Sequence, residues 1–302
     1  MINPRETAKP WAIIAAFGAV YIIWGSTYLA IRFAIETLPP FLMAGTRFVT
    51  AGLVLHAWGR LRGGAAPTRA HGVPSLVLGA LFLLAGNGGV VWAEQRVPSG
   101  LAALLVAVTP AWTVLFEWTH GGGAPAGRTV AGVVAGLAGV GLLVAPSDLI
   151  AGGVDPVGAA GCLIASLCWS LASVRSRSMA LPASPAIASS LQMMAGGGLL
   201  FLTGVATGEL GRANLAAASA RSLLAVGYLI VFGSLVAFTA FTWLLRVSTP
   251  SRVATCAYVN PVVAVLLGWA FAGERLGPRS LLAAAIIILG VVLITTSGRR
   301  KP

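Results

Sequence analysis

Charge is scarce in this chain. Asp and Glu together number 8 among 302 residues, and all charged residues make up only 9%, against about 25% in soluble domains. Histidine and cysteine number 3 each. Cys162, Cys168 and Cys256 form no CxxC and fall inside apolar stretches, which leaves them as small apolar packers rather than metal or redox ligands. The sequence has no HExxH, no GxSxG and no P-loop. Metal or serine hydrolysis and ATP-driven pumping therefore have no support, no cofactor or metal is expected, and the chain is not expected to be an enzyme.

Apolar sequence is what remains. Hydrophobic residues make up 57% and the mean hydropathy is +0.89, which places the chain in a lipid bilayer. The net charge of +12 is strung through many short loops without a compact basic face or interleaved stacking aromatics, so nucleic acid is not an expected partner. Arg5 and Lys9 precede an apolar run from Trp11 to Ile31. That run is longer than a signal-peptide core and is read as the first membrane span.

With about 20 apolar residues needed per crossing, the runs between charge clusters predict ten spans. They lie near 11–31, 41–58, 73–92, 99–118, 128–145, 156–174, 185–206, 222–245, 252–272 and 279–297. Sliding the chain by 151 residues, half of 302, places Trp92 on Trp243, Pro110 on Pro261, Trp118 on Trp269, Arg128 on Arg279 and Gly139-Val140 on Gly290-Val291. One shift holding over this distance indicates an internal duplication. Five spans per copy is an odd number, so the second copy must cross with opposite orientation. The expected fold is an all-α polytopic membrane protein of ten transmembrane helices in two inverted five-helix repeats, residues 1–147 and 148–302, joined by a Gly-rich linker from Pro146 to Pro156.

The loops supply an orientation. With both termini in the cytoplasm, 13 of the 20 Lys and Arg lie on the cytoplasmic side and 6 on the other, with Arg47 inside a span. The excess agrees with the positive-inside tendency.

Polar side chains within the spans mark a candidate cavity. A proline inside a helix frees the carbonyl four residues earlier, and free backbone groups at membrane depth must meet protein or water. Pro110 and Pro261 occupy corresponding positions in the copies, so they are candidate hinges beside a substrate cavity. Asn87, Gln192 and Asn260 carry carboxamides that need several partners. Trp24, Trp112 and Trp169 lie deep in their spans, unlike Trp11, Trp58, Trp92, Trp118, Trp243 and Trp269 near span ends. The expected cavity wall is Trp24, Tyr28, Asn87, Trp112, Trp169, Tyr258 and Asn260. Arg47 is placed to snorkel, to pair with a helix carbonyl or to bind a substrate carboxylate. Glu117, near a span end, is read as a solvated helix end, with proton coupling, for which it is the most visible candidate, as the alternative. No carboxylate is found at the centre of a span. Gly132, Ala135, Gly136 and Gly139 form a small-residue stripe suited to close helix contact, within the chain by default and between copies as the alternative.

The motifs Trp24-Gly25-Ser26-Thr27-Tyr28, Leu38-Pro39-Pro40 leading to Arg47-Phe48, and Tyr258-Val259-Asn260-Pro261-Val262-Val263-Ala264 followed by Gly273-Glu274-Arg275-Leu276 resemble the EamA family of the drug/metabolite transporter superfamily. The resemblance covers nearly the whole chain. It implies a ten-helix bacterial inner-membrane carrier, multi-pass with cytoplasmic termini, exporting amino acids or related amphipathic metabolites by alternating access. Proton-coupled efflux of drugs or other toxic compounds is the alternative. Its expected partners are a small-molecule substrate and the lipid bilayer, with the chain a monomer or weak homodimer. The Gly-Glu-Arg turn that the family carries in both copies appears here only in the second, with Gly122-Gly123-Ala124 in the first. Glu274 and Arg275 are therefore read as structural.

Overall fold

The computed structural model describes residues 9–97, 99–144, 155–272 and 278–297; the linker, the repeat boundary and the Gly273–Leu276 turn lie outside them. The described residues are helical, with no strand among them. Seven described helices are long and apolar enough to cross a membrane: α1 (Pro10–Ala34), α2 (Pro40–Leu61), α3 (Arg69–Ala93), α4 (Leu101–Gly121), α6 (Pro156–Arg175), α7 (Pro185–Ala206) and α8 (Ala220–Val247). Between and after them lie α5 (Gly127–Val144), α9 (Cys256–Ala272) and α10 (Pro278–Thr296).

The helix ends follow local chemistry. Proline occupies the first turn of α1, α2, α6 and α7, where its missing N–H is no loss and its fixed φ favours helix. Asp155 caps α6 by accepting from the backbone N–H groups of Val157 (2.8 Å) and Gly158 (3.0 Å). The Gly158 N–H, followed by that of Val157 and the charge of Arg96, holds the Asp155 carboxyl below its ordinary range. Glu209, itself buried, reaches the start of α2 and accepts from the N–H groups of Phe41 (3.3 Å) and Leu42 (2.9 Å). These are the donors that a helix start leaves without partners.

Residue pairings give the helix directions. Along α2 and α7, Gly45 meets Phe201, Gly52 meets Met194 and Gly59 meets Ile187, so the two are antiparallel. Along α5 and α10, Thr129 donates to Ser297 at 2.8 Å, Gly132 meets Gly290 and Gly139 meets Ile287, again antiparallel. The small-residue stripe of α5 thus packs within the chain, against α10. Helix α1 runs parallel to α9, with Tyr21 bonded to Thr255 (2.6 Å) and Gly25 against Val263. Since Arg252 donates to the Ser297 carbonyl at 3.3 Å, the start of α1 and the end of α10 share one face, the terminal face. Helix α1 is antiparallel to α8, with Trp24 donating to the Gly233 carbonyl (3.3 Å) and Thr37 to Ser222 (2.8 Å). Helix α6 is antiparallel to α3, with Trp169 against Gly86 and Ala165 against Gly89.

The core lies between α1, α2, α3, α7 and α8 and holds Phe48, Leu78, Phe82, Leu200, Phe238 and Phe241, all fully buried. Large apolar side chains such as Ile22, Leu53, Leu224 and Leu281 are more than half exposed, which suits a surface facing hydrocarbon.

Candidate functional site

Two helices widen where they approach the middle of the bundle. Helix α3 passes into a π-helical stretch over Ala80–Gly88, and α8 does the same over Leu229–Phe238. The 151-residue shift lays one stretch nearly on the other. A π turn bonds i to i+5, turns the backbone out of its ladder and is frequent at functional sites. Here the widened turns present Leu83, Gly86 and Asn87 from α3 and Gly233 and Phe238 from α8 to a central cavity of about 100 Å³. Its other walls include Trp24, Thr27, Tyr28 and Ile31 of α1, Arg47 and Phe48 of α2, Thr109 of α4, Ser166 and Trp169 of α6, and Asn260 of α9.

The wall divides by chemistry. On the side nearer the terminal face, Trp24 and Trp169 meet edge to face with centroids 5.3 Å apart, and Phe82, Phe238 and Phe241 complete an aromatic cluster. Such contacts give a rigid apolar floor. Above it, polar atoms without protein partners collect. Arg47 is 3% exposed; its Nε donates to Ser234 Oγ at 2.9 Å, its guanidinium lies 4.4 Å from the Phe48 ring centroid, and its Nη1 has no partner. The carboxamide oxygens of Asn87 and Asn260 also lack partners. A buried guanidinium with open donors is suited to a carboxylate, which it can engage through two parallel hydrogen bonds.

Gly233 sets the position of Arg47. A Cβ at Gly233 would stand 2.8 Å from Arg47 Nη2. Gly233→Ala is therefore expected to displace the guanidinium and weaken binding of a carboxylate ligand about 10-fold, as one distorted charge-assisted hydrogen bond predicts; equilibrium binding on the purified protein checks this.

Of the residues read from the sequence as cavity wall, the structure brings Trp24, Tyr28, Asn87, Trp169 and Asn260 together, with Arg47 among them. Two are placed elsewhere. Tyr258 is fully buried against Gly136 of α5 and donates to the Val133 carbonyl at 3.1 Å. Trp112 is not among the cavity residues, and its Nε1 is buried without a partner. The two prolines also behave differently. Pro110 opens a new helical segment, Thr109–Glu117, and Thr109 Oγ1 donates to the Val106 carbonyl at 2.5 Å. Pro261 lies within a continuous helix, and the interruption comes earlier, at Thr255 between Pro250–Ala254 and Cys256–Ala272. Tyr258 thus faces α5, while Ala257 and Asn260, on another side of the same helix, line the cavity.

Glu117 lines a separate cleft of about 700 Å³ on the terminal face, with His120, Arg175 and Arg252 on the same wall. Sequence reasoning missed Glu94, which follows the end of α3 and is 6% exposed. It also missed the π turns, for which Gly86-Asn87-Gly88 and Gly233-Ser234 are the available signal.

Known proteins resemble the whole chain. The model of the EamA-like transporter family matches residues 10–145 and again 156–296. An uncharacterized inner membrane transporter, YedA of Escherichia coli K12, is 40% identical over 284 residues, 94% of this chain and 90% of its own. An S-adenosylmethionine/S-adenosylhomocysteine transporter of Chlamydia trachomatis is 26% identical, covering 90% of this chain and 85% of its own. A crystal structure of a protein 23% identical to this chain superposes with a TM-score of 0.77, covering 97% of this chain and all of the other. Matched along both halves by the family model and along nearly its full length by an inner-membrane relative, this multi-pass membrane protein belongs to the EamA-like transporter family.

Proposed function

We propose that this protein exports amino acids or related small amphipathic carboxylates across the bacterial inner membrane, by alternating access through the central cavity between two inverted five-helix repeats. The single observation that carries the substrate class is Arg47. It is a buried cation with an unpartnered Nη1 in a cavity otherwise floored by Trp24 and Trp169. The floor suits an apolar side chain, and the guanidinium suits a carboxylate. A lipophilic cation would meet Arg47 as a like charge, which weighs against the multidrug alternative. The chlamydial relative is named for substrates that carry an α-amino acid group.

The repeat reading, with halves 1–147 and 148–302 and ten crossings, is supported by the two family-model matches and by the helix pairings. Helices α2 and α7, and likewise α5 and α10, pack antiparallel upon their own counterparts. Antiparallel packing of an element on its own counterpart is the arrangement expected of repeats related by a two-fold axis in the membrane plane. The Lys and Arg excess supports a cytoplasmic terminal face. Pro110 and the break at Thr255 are the proposed hinges, with Pro261 supporting the second.

Proteoliposomes preloaded with labelled amino acids test the reading. Saturable efflux of aromatic or large aliphatic amino acids is expected, with amides of the same amino acids poor substrates because they lack the carboxylate. Transport of amides as fast as of acids would remove Arg47 from substrate recognition.

A further inference from the structure

Glu94 is a buried acidic group that neither the cavity chemistry nor a helix cap uses. It directly follows α3, with its N–H bonded to the Val90 carbonyl at 2.9 Å, and Val90 lines the cavity one turn below. Glu94 is 6% exposed, and neither carboxylate oxygen has a hydrogen-bond partner. Its neighbours Ala93 and Val97 are packed with Leu101, Ala102 and Cys162 in an apolar cluster.

The charged and titratable groups around it are few. Arg32 and Tyr28 face it from α1 and Cys162 from α6. Arg96 and Asp155 lie beside it at the surface but are paired with each other at 3.5 Å. The segment Ser99–Val106 contributes no titratable side chain, and the outer half of α2 contributes only Arg47. Arg32 is exposed and forms no ion pair with Glu94 within the salt-bridge distance that Arg96 and Asp155 satisfy.

An ionised carboxylate buried without donors is costly, and such a group lowers its energy by taking a proton. Glu94 lies one helical turn beyond Val90 of the cavity wall, and its charge acts on Tyr28 of the same wall. We propose that Glu94 is a proton-binding site at the far end of the cavity, through which substrate export is coupled to a pH gradient. One proton adds to the carboxylate from the far face and leaves as the same proton toward the terminal face; no bond to substrate forms and nothing is oxidised. This rests on the exporter reading above and assigns to Glu94 the coupling role that Glu117, half-buried in the terminal cleft, is poorly placed to play. Burial pushes the Glu94 carboxyl up to about 8, against the opposing pull of Arg32.

Two measurements test the proposal. In reconstituted wild-type protein at neutral pH, infrared difference spectra on raising pH are expected to show loss of a carboxylic-acid C=O band. The band should be absent in Glu94→Gln, retained but displaced in Glu94→Asp, and unchanged in Glu117→Gln. In Arg32→Gln its midpoint should move upward, because the opposing charge is gone. In proteoliposomes, an inward proton gradient is expected to accelerate wild-type export several-fold and to have no effect on Glu94→Gln. A band that persists in Glu94→Gln overturns the proton site. Acceleration that persists in Glu94→Gln, or a pH-independent loss of substrate affinity in that variant, overturns the coupling role, the second by pointing to an ammonium contact instead. Should wild-type protein move no carboxylate at all, the exporter reading fails while the infrared result still decides the proton site.

Discussion

Arg47→Gln is expected to raise the Kd for a carboxylate substrate about 100-fold, the effect of losing roughly 3 kcal/mol from a desolvated charge pair. Stability should not fall with it. Arg47 is 3% exposed with one hydrogen bond from Nε and no protein partner for Nη1, so its charge is incompletely compensated by the protein. Replacing such a charge with a neutral side chain is commonly neutral or stabilising, and binding sites often hold strain of this kind. Calorimetric binding together with thermal unfolding in detergent checks both halves. Arg47→Lys should recover only part of the affinity, because an ammonium lacks the planar fork that engages both carboxylate oxygens. An unchanged Kd in Arg47→Gln would mean that Arg47 is held for packing over Phe48 and not for substrate.

The second large effect concerns assembly. Gly196→Ala is expected to cost about 2 to 3 kcal/mol, in the range for forcing extra atoms into a packed contact. A Cβ at Gly196 would meet the Gly79 carbonyl oxygen directly and stand 2.6 Å from Leu83 Cβ. Backbone cannot move aside as a side chain can, so α3 and α7 would have to part. Since α3 begins its π turns at Ala80, that displacement would reach Asn87 in the cavity and lower transport as well. Gly198→Ala, two residues away on a face with nothing within 4 Å, should instead stabilise by up to about 1 kcal/mol, because alanine is the better helix former. Thermal unfolding of the two variants side by side gives the comparison, and equal behaviour would show that close approach of α3 to α7 is not limiting.

These expectations show where sequence reasoning reached the site and where it stopped. Trp24, Tyr28, Asn87, Trp169 and Asn260 were legible because a polar or amphipathic side chain deep in an apolar run needs a partner, and a cavity is one place to find it. Tyr258 met the same criterion for a different reason: its hydroxyl needs the Val133 carbonyl. The two cases look alike in sequence. They differ in which side of its helix each occupies, and the packing of α9 between α5 and α1 decides which side meets the cavity. Glu94 was overlooked because it follows a span, and span ends are normally wet. Packing of α1 and α6 over that end removes it from solvent, and no local pattern announces this.

Composition and periodicity by themselves determined that this chain lives in a bilayer, that its two halves match under one shift, and that polar and amphipathic side chains lie deep in several of its apolar runs. Those properties follow from transfer energies and from spacing along one helix, so neighbours in sequence suffice to specify them. Tertiary structure alone decided which polar residues share a cavity, that α3 and α8 widen to deliver Asn87 and Gly233, and that Arg47 and Glu94 lose their water. Burial of a charge is a property of what other helices place around it, and those helices are separated from Arg47 by up to 213 residues of chain, the distance to Asn260.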